Sequence, residues 1–164
     1  MPSFATQRAV QHSSAQMFDL VADVEKYPEF LPLCEGLTVT SRTTDAGGHP
    51  VVVARMTCGY KAIRESFTSR VTLDSANATI HVAYIDGPFR YLENTWRFKD
   101  RVGSPGCTVD FHIDYEFRSR MLGLVVGSLF DKAFRKFATA FEARAQRIYG
   151  PVLNLSEAGQ GALT

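Results

Sequence analysis

The sequence predicts an α+β fold in which a curved antiparallel sheet wraps one long C-terminal helix. Three observations carry this expectation. Short segments of alternating polarity recur between turn signals along residues 37–118. One segment, 121–149, has the apolar spacing of a helix and no proline inside it. The chain of 164 residues suits one hydrophobic core, because two would each be thin for their surface. A single domain over 1–150 is therefore expected, with residues 151–164 having the composition of a tail.

The elements follow in order. Residues 4–11 read as a first strand of mixed polarity. Ser13 with Gln16 three positions on is a capping-box pattern, and 15–22 has the spacing of a short helix. Pro28 biases Tyr27 away from helical angles, so that helix stops or bends there. Pro32 closes a second short turn made of Glu29, Phe30 and Leu31. Strands are then expected at 37–42, 50–60, 64–73, 79–85, 91–99 and 107–118. The loops 45–48, 74–77, 86–88 and 103–106 separate them, rich in Gly, Asp, Asn and Pro.

Alternation assigns the faces. Val109, Phe111, Ile113, Tyr115 and Phe117 share one face of the last strand, opposite Asp110, His112, Asp114 and Glu116. Leu92, Asn94, Trp96 and Phe98 share a face, as do Phe67, Ser69, Val71 and Leu73. One side of the sheet is thus apolar and must be covered. Only 121–149, a rod of roughly 40 Å, is long enough. Its stripe comprises Leu122, Val125, Val126, Leu129, Phe130, Ala133, Phe137, Phe141 and Ala145. The inward list mixes large aromatics with the polar Asn94 and Ser69. That mixture fits either a ligand pocket or an ordinary aromatic-rich core. For a pocket, the candidate ligand-binding residues are Tyr27, Phe30, Leu31, Trp96, Phe98, Phe111, Tyr115, Val126, Phe130 and Phe137.

Composition removes several classes of function. The net charge of +1 gives no reason to expect DNA as a partner. No apolar leader opens the chain, and the longest nearly uncharged apolar run, 121–130, is half the roughly 20 residues a spanning helix needs. Cys34, Cys58 and Cys107 are odd in number and lie among strand residues, as expected of reduced packing cysteines in the cytoplasm. His112 with Asp110 and Asp114 has a metal-compatible spacing on the polar face, where a solvated surface is the simpler reading. His12, His49 and His81 also read as surface. No glycine-rich phosphate loop, zinc spacing or dinucleotide fingerprint occurs, and no His is placed to activate Cys34 or Cys58. No catalytic residue, metal site or cofactor is therefore expected, and binding is favoured over turnover.

The run Phe18-Asp-Leu-Val-Ala-Asp-Val-Glu-Lys-Tyr27-Pro28-Glu29-Phe30-Leu31-Pro32-Leu33-Cys34 closely resembles the signature of the coenzyme Q-binding branch of START-like proteins. That branch includes the bacterial ribosome-association toxin proteins and is grouped with polyketide cyclase/dehydrase-like sequences. Gly87-Pro88-Phe89, Trp96-Arg97-Phe98, Val109-Asp110-Phe111, Tyr115-Glu116-Phe117 and Ala140-Phe141-Glu142-Ala143-Arg144-Ala145 extend the likeness over about residues 1–150. The resemblance implies a helix-grip (START/Bet v 1-like) fold. It also implies an internal cavity for an apolar lipid, ubiquinone or a related polyprenyl quinone, carried or chaperoned in support of respiration. Two alternatives come with it: docking on the ribosome to block subunit joining, or polyketide cyclase/aromatase chemistry. Near-neutral charge disfavours the ribosome, although Arg64, Arg70, Arg97, Lys99 and Arg101 form a local basic set. Two segments fit edges of a cavity entrance. The rigid Tyr27–Cys34 turn reads as a lid or as a core plug. The apolar start of the last helix, behind Arg118 and Arg120, reads as sheet-facing or as a peripheral contact with the inner face of an anionic membrane.

Overall fold

Two hydroxyl caps decide where the helices begin. Ser13 Oγ accepts from the Gln16 amide at 3.2 Å, and the Gln16 side chain accepts in return from the Ser13 amide at 3.0 Å. This reciprocal pair starts α1 (Ser14–Ala22), which buries Met17, Phe18, Leu20 and Val21. The chain then enters a 3₁₀ turn, Val24–Glu29, with Pro28 inside it. Ser119 Oγ accepts from the Leu122 amide at 3.1 Å and starts α2 (Arg120–Tyr149). Gly150 ends α2 at φ 78°, a conformation that favours glycine. The computed structural model describes residues 3–151, so the expected tail lies outside the described residues from position 152 onward.

The strands are β1 (Ser3–Val10), β2 (Cys34–Thr44), β3 (Pro50–Tyr60), β4 (Ile63–Asp74), β5 (Thr79–Asp86), β6 (Phe89–Asp100) and β7 (Cys107–Phe117). They form one seven-stranded sheet in the order β1-β7-β6-β5-β4-β3-β2, antiparallel throughout. The first and last strands are thus neighbours, and β2 forms the far edge. Register slips interrupt the β2–β3, β4–β5 and β6–β7 ladders. Such bulges bend strands, and here they let the sheet curl around α2. The inward alternation predicted for β6 and β7 holds: Leu92, Asn94, Trp96, Phe98, Val109, Phe111, Ile113 and Tyr115 are all buried.

Phe89, wholly buried, lies at the centre of the aromatic packing. Its ring stacks on Phe117 at 4.8 Å and meets Phe67, Tyr84, Tyr115 and Phe130 edge-on. Gly87 makes this possible. At φ 145° it passes so near β4 that a Cβ there would lie 2.6 Å from Phe67 Cβ. Gly87-Pro88-Phe89 is therefore a packing device.

Three sequence expectations need correction. Val125, placed on the inward stripe, is 60% exposed, because the buried row runs through Val126, Phe130, Ala133, Phe134, Ala138 and Phe141. Val125 lies one helical step, about 100°, off that row. Phe134, absent from the predicted stripe, is buried within it. His12, expected at the surface, is 1% exposed. The chain leaving β1 passes beneath the end of α2, where His12 Nε2 bonds to the Gly150 carbonyl at 2.9 Å. A ring nitrogen there satisfies one of the acceptors a helix C-terminus leaves open.

Candidate ligand cavity

Ala54 of β3 and Ser69 of β4 are direct cross-strand partners on the inward face. Two small side chains side by side leave a depression that the aromatics of α2 do not fill. The result is a cavity of about 80 Å³. Its walls are Val24, Tyr27 and Leu31 from the 3₁₀ turn and just beyond it, with Leu37 from β2. Ala54, Met56, Cys58, Phe67, Ser69, Val71 and Val82 come from β3 to β5, and Leu92, Asn94, Trp96 and Ile113 from β6 and β7. Phe134, Phe137 and Phe141 of α2 close it.

Almost every polar atom in the wall is occupied. Asn94 Nδ2 donates to the His112 carbonyl at 2.8 Å, and Trp96 Nε1 donates to Asn94 Oδ1 at 3.0 Å. The Tyr27 hydroxyl donates to the Val21 carbonyl. Burial pushes the Cys58 thiol up to about 12 and the Tyr27 phenol well above its ordinary value. Cys34, opposite Cys58 in the β2–β3 register, is pushed up to about 11 by the same desolvation. Ser69 Oγ is the exception: it is buried and has no hydrogen-bond partner.

The 3₁₀ turn is fastened to α2. The Tyr27 and Phe30 rings meet Phe141 edge-on at 5.3 and 5.1 Å. Arg144 Nη2 donates to Glu29 Oε1 at 3.1 Å, and the guanidinium lies 5.1 Å from the centre of the Phe30 ring.

Of the ten candidate residues, the structure brings Tyr27, Leu31, Trp96 and Phe137 together around the cavity. Phe98 and Phe111 pack behind Trp96, at 6.2 and 4.5 Å between ring centres. Phe30 faces Arg144, outside the wall. Tyr115 and Phe130 belong to the aromatic packing around Phe89, and Val126 lies on the same α2 face one turn before Phe130. The candidate set left out most of the sheet's share of the wall, including the small Ala54 and Ser69, as well as Phe134 and Phe141 of α2. The signal for the small pair was two small inward residues on paired strands.

The remaining histidines lie away from the cavity. His112 is exposed on the outer face, 3.4 Å from Asp114. His81 bonds to Glu93 at 2.8 Å, and His49 lies between Asp45 and Asp74 at 3.4 and 3.6 Å. Among the described residues no helix is long and apolar enough to cross a membrane.

A curled antiparallel sheet gripping a C-terminal helix around an apolar hollow is the START-like, helix-grip fold. The chain belongs to the family described as polyketide cyclase / dehydrase and lipid transport, matched over residues 10–142. It is 32% identical to the ribosome association toxin RatA of Escherichia coli K12, over 91% of this chain and 90% of that protein. It is 30% identical to the mitochondrial coenzyme Q-binding protein COQ10 homolog B of Xenopus laevis, over 90% of this chain and 59% of that one. The solution structure of the 18 kDa protein CC1736 of Caulobacter crescentus, 32% identical, superposes with a TM-score of 0.73 over 92% of this chain and all of that one.

Proposed function

We propose that the protein binds an apolar lipid, ubiquinone or a related polyprenyl quinone, in its cavity and acts as a carrier or chaperone for it. The observation that carries this reading is the wall itself, which is apolar but for Tyr27, Ser69, Asn94 and Trp96 and holds no charged side chain. The relative named for coenzyme Q binding supports the same ligand class. Turnover is disfavoured because, among the described residues, no Asp, Glu, His, Lys or Arg lines the cavity, and its Cys58 thiol and Tyr27 phenol stay protonated at neutral pH. The cavity is smaller than the roughly 150 Å³ hollow that takes benzene, so loading requires the walls to part. The 3₁₀ turn, held by Arg144 and Phe141, is the wall that moves in this reading.

The lipid comes from a membrane surface in the same reading. Tyr60, Ile85, Met121, Leu124 and Val125 are exposed and share one end of the molecule, where β7 runs into α2 and the β3–β4 and β5–β6 turns lie. At that end Arg64 pairs with Glu35 and Arg90 with Glu116, leaving Lys61, Arg118 and Arg120 against Glu65 and Asp86. Apolar side chains among cations that lack an ion-pair partner among the described residues suit an anionic bilayer at the inner face of the membrane.

Solvent extraction of the purified protein followed by mass spectrometry tests the ligand. A stoichiometric isoprenoid quinone is expected. A protein that carries no lipid and binds no quinone on titration sinks the reading. The relatives named ribosome association toxins favour a second reading, docking on the ribosome. Co-sedimentation with ribosomal subunits in sucrose gradients, lost on adding salt, would favour that one.

A further inference from the structure

Ser69 carries the one lining side-chain nitrogen or oxygen that the cavity leaves unpaired among the described residues. It is 6% exposed, in the middle of β4 on the inward face. The β4–β5 register slips between Thr68 and Ser69, so the ladder is locally broken at the residue that bears this hydroxyl. Bulges of this kind re-aim side chains and recur beside binding sites. The neighbouring Ala54 leaves room in front of it. Asn94, Trp96 and Tyr27 have already found protein partners, so the hydroxyl has no competitor in the wall. A trapped water explains it poorly, since a buried water needs two to four polar partners and would meet one unpaired group here. A buried hydroxyl without a partner is costly and is expected to find one.

We propose that Ser69 is the polar anchor of the cavity and donates its hydroxyl hydrogen to a ring carbonyl oxygen of the ligand. The proposal rests on the reading of the cavity as a ligand site and adds the ligand's chemistry: one carbonyl acceptor, placed against β4, with apolar groups facing Trp96 and the phenylalanines of α2. A hydrocarbon of the same shape satisfies the walls and leaves the hydroxyl unpaired.

Two small probes separate these cases. Acetophenone and α-methylstyrene share one shape, with an oxygen in the first replaced by a methylene in the second. Dissociation constants for both are measured by NMR titration on the wild-type protein and on Ser69→Ala and Ser69→Thr. Ser69→Ala should weaken acetophenone about fivefold and leave α-methylstyrene within about twofold, while Ser69→Thr keeps the wild-type ratio. An unchanged ratio in Ser69→Ala overturns the anchor and leaves the cavity reading standing. Failure of both probes to bind wild-type protein overturns the cavity reading and the anchor together, and failure of acetophenone alone overturns the anchor. If Ser69→Ala does not fold, Ser69→Cys, nearly isosteric but a weak donor, serves the same comparison.

Discussion

Arg144, in the last third of α2, donates to Glu29 of the 3₁₀ turn at 3.1 Å while its guanidinium lies over Phe30. The two residues are 115 positions apart, and their contact ties the wall carrying Tyr27 and Leu31 to the helix. Arg144 is only 9% exposed, whereas the Glu29 side chain is 51% exposed. The pair is therefore half screened by water, and its modest strength suits a fastening that must open.

Glu29→Gln should lower stability by about 1 kcal/mol, discounted for that screening, and should speed ligand release several-fold. Thermal melts and a stopped-flow release assay read the two effects. Release at the wild-type rate in a folded variant would mean that the turn is not the moving wall.

Ala54→Leu places three more carbons beside Ser69, in the hollow the small pair creates. Ligand retention should fall at least tenfold. Stability should hold or rise by about 1 kcal/mol, because existing space is filled. Wild-type quinone content after extraction would put the ligand elsewhere.

Cys58 supplies a pH dependence whose sign follows from burial. Its thiol is pushed up to about 12 in the folded protein, against about 8.5 in an unfolded chain. Above pH 9 the unfolded state gives up this proton and the folded state keeps it, so stability falls as pH rises toward 12. At pH 10 the loss from Cys58 should reach about 1–2 kcal/mol, and Cys58→Ala should remove that share of the slope. Urea midpoints between pH 8 and 10.5 measure it, and equal slopes in both proteins would refute it.

Leu124→Ser combined with Met121→Ser alters two exposed side chains, 86% and 75% accessible, so the melt should shift by less than about 0.5 kcal/mol equivalent. Flotation with vesicles of phosphatidylglycerol and phosphatidylcholine should nevertheless drop several-fold. Undiminished flotation would remove this end of the molecule from the membrane contact.

Much of the cavity's frame was legible in the sequence. Alternation alone put Trp96, Phe111 and Tyr115 inside, and the Ser13–Gln16 pattern located the start of α1. An inward face mixing large aromatics with Asn94 and Ser69 fits a pocket or a filled core alike, so the place of the hollow is not legible in the sequence. Large rings fill space, and the space arises where Ala54 meets Ser69, a pairing visible only once the β3–β4 register is known. Val125 and Phe134 were misplaced because a wide apolar stretch on a helix does not say which residue in each turn faces the sheet. His12 was missed because its partner, the Gly150 carbonyl, is 138 residues away.

The sequence by itself determined the element order, the inward faces and the covering helix, because these follow from local periodicity, capping and turn chemistry. The resemblance carried by Phe18–Cys34 and the later strand motifs pointed to the family. Only the tertiary structure decided where empty space remains, which hydroxyl faces it unpaired, and which ion pair holds its wall. Those properties belong to contacts between residues far apart in the chain, set by strand register and by the rotation of α2 against the sheet.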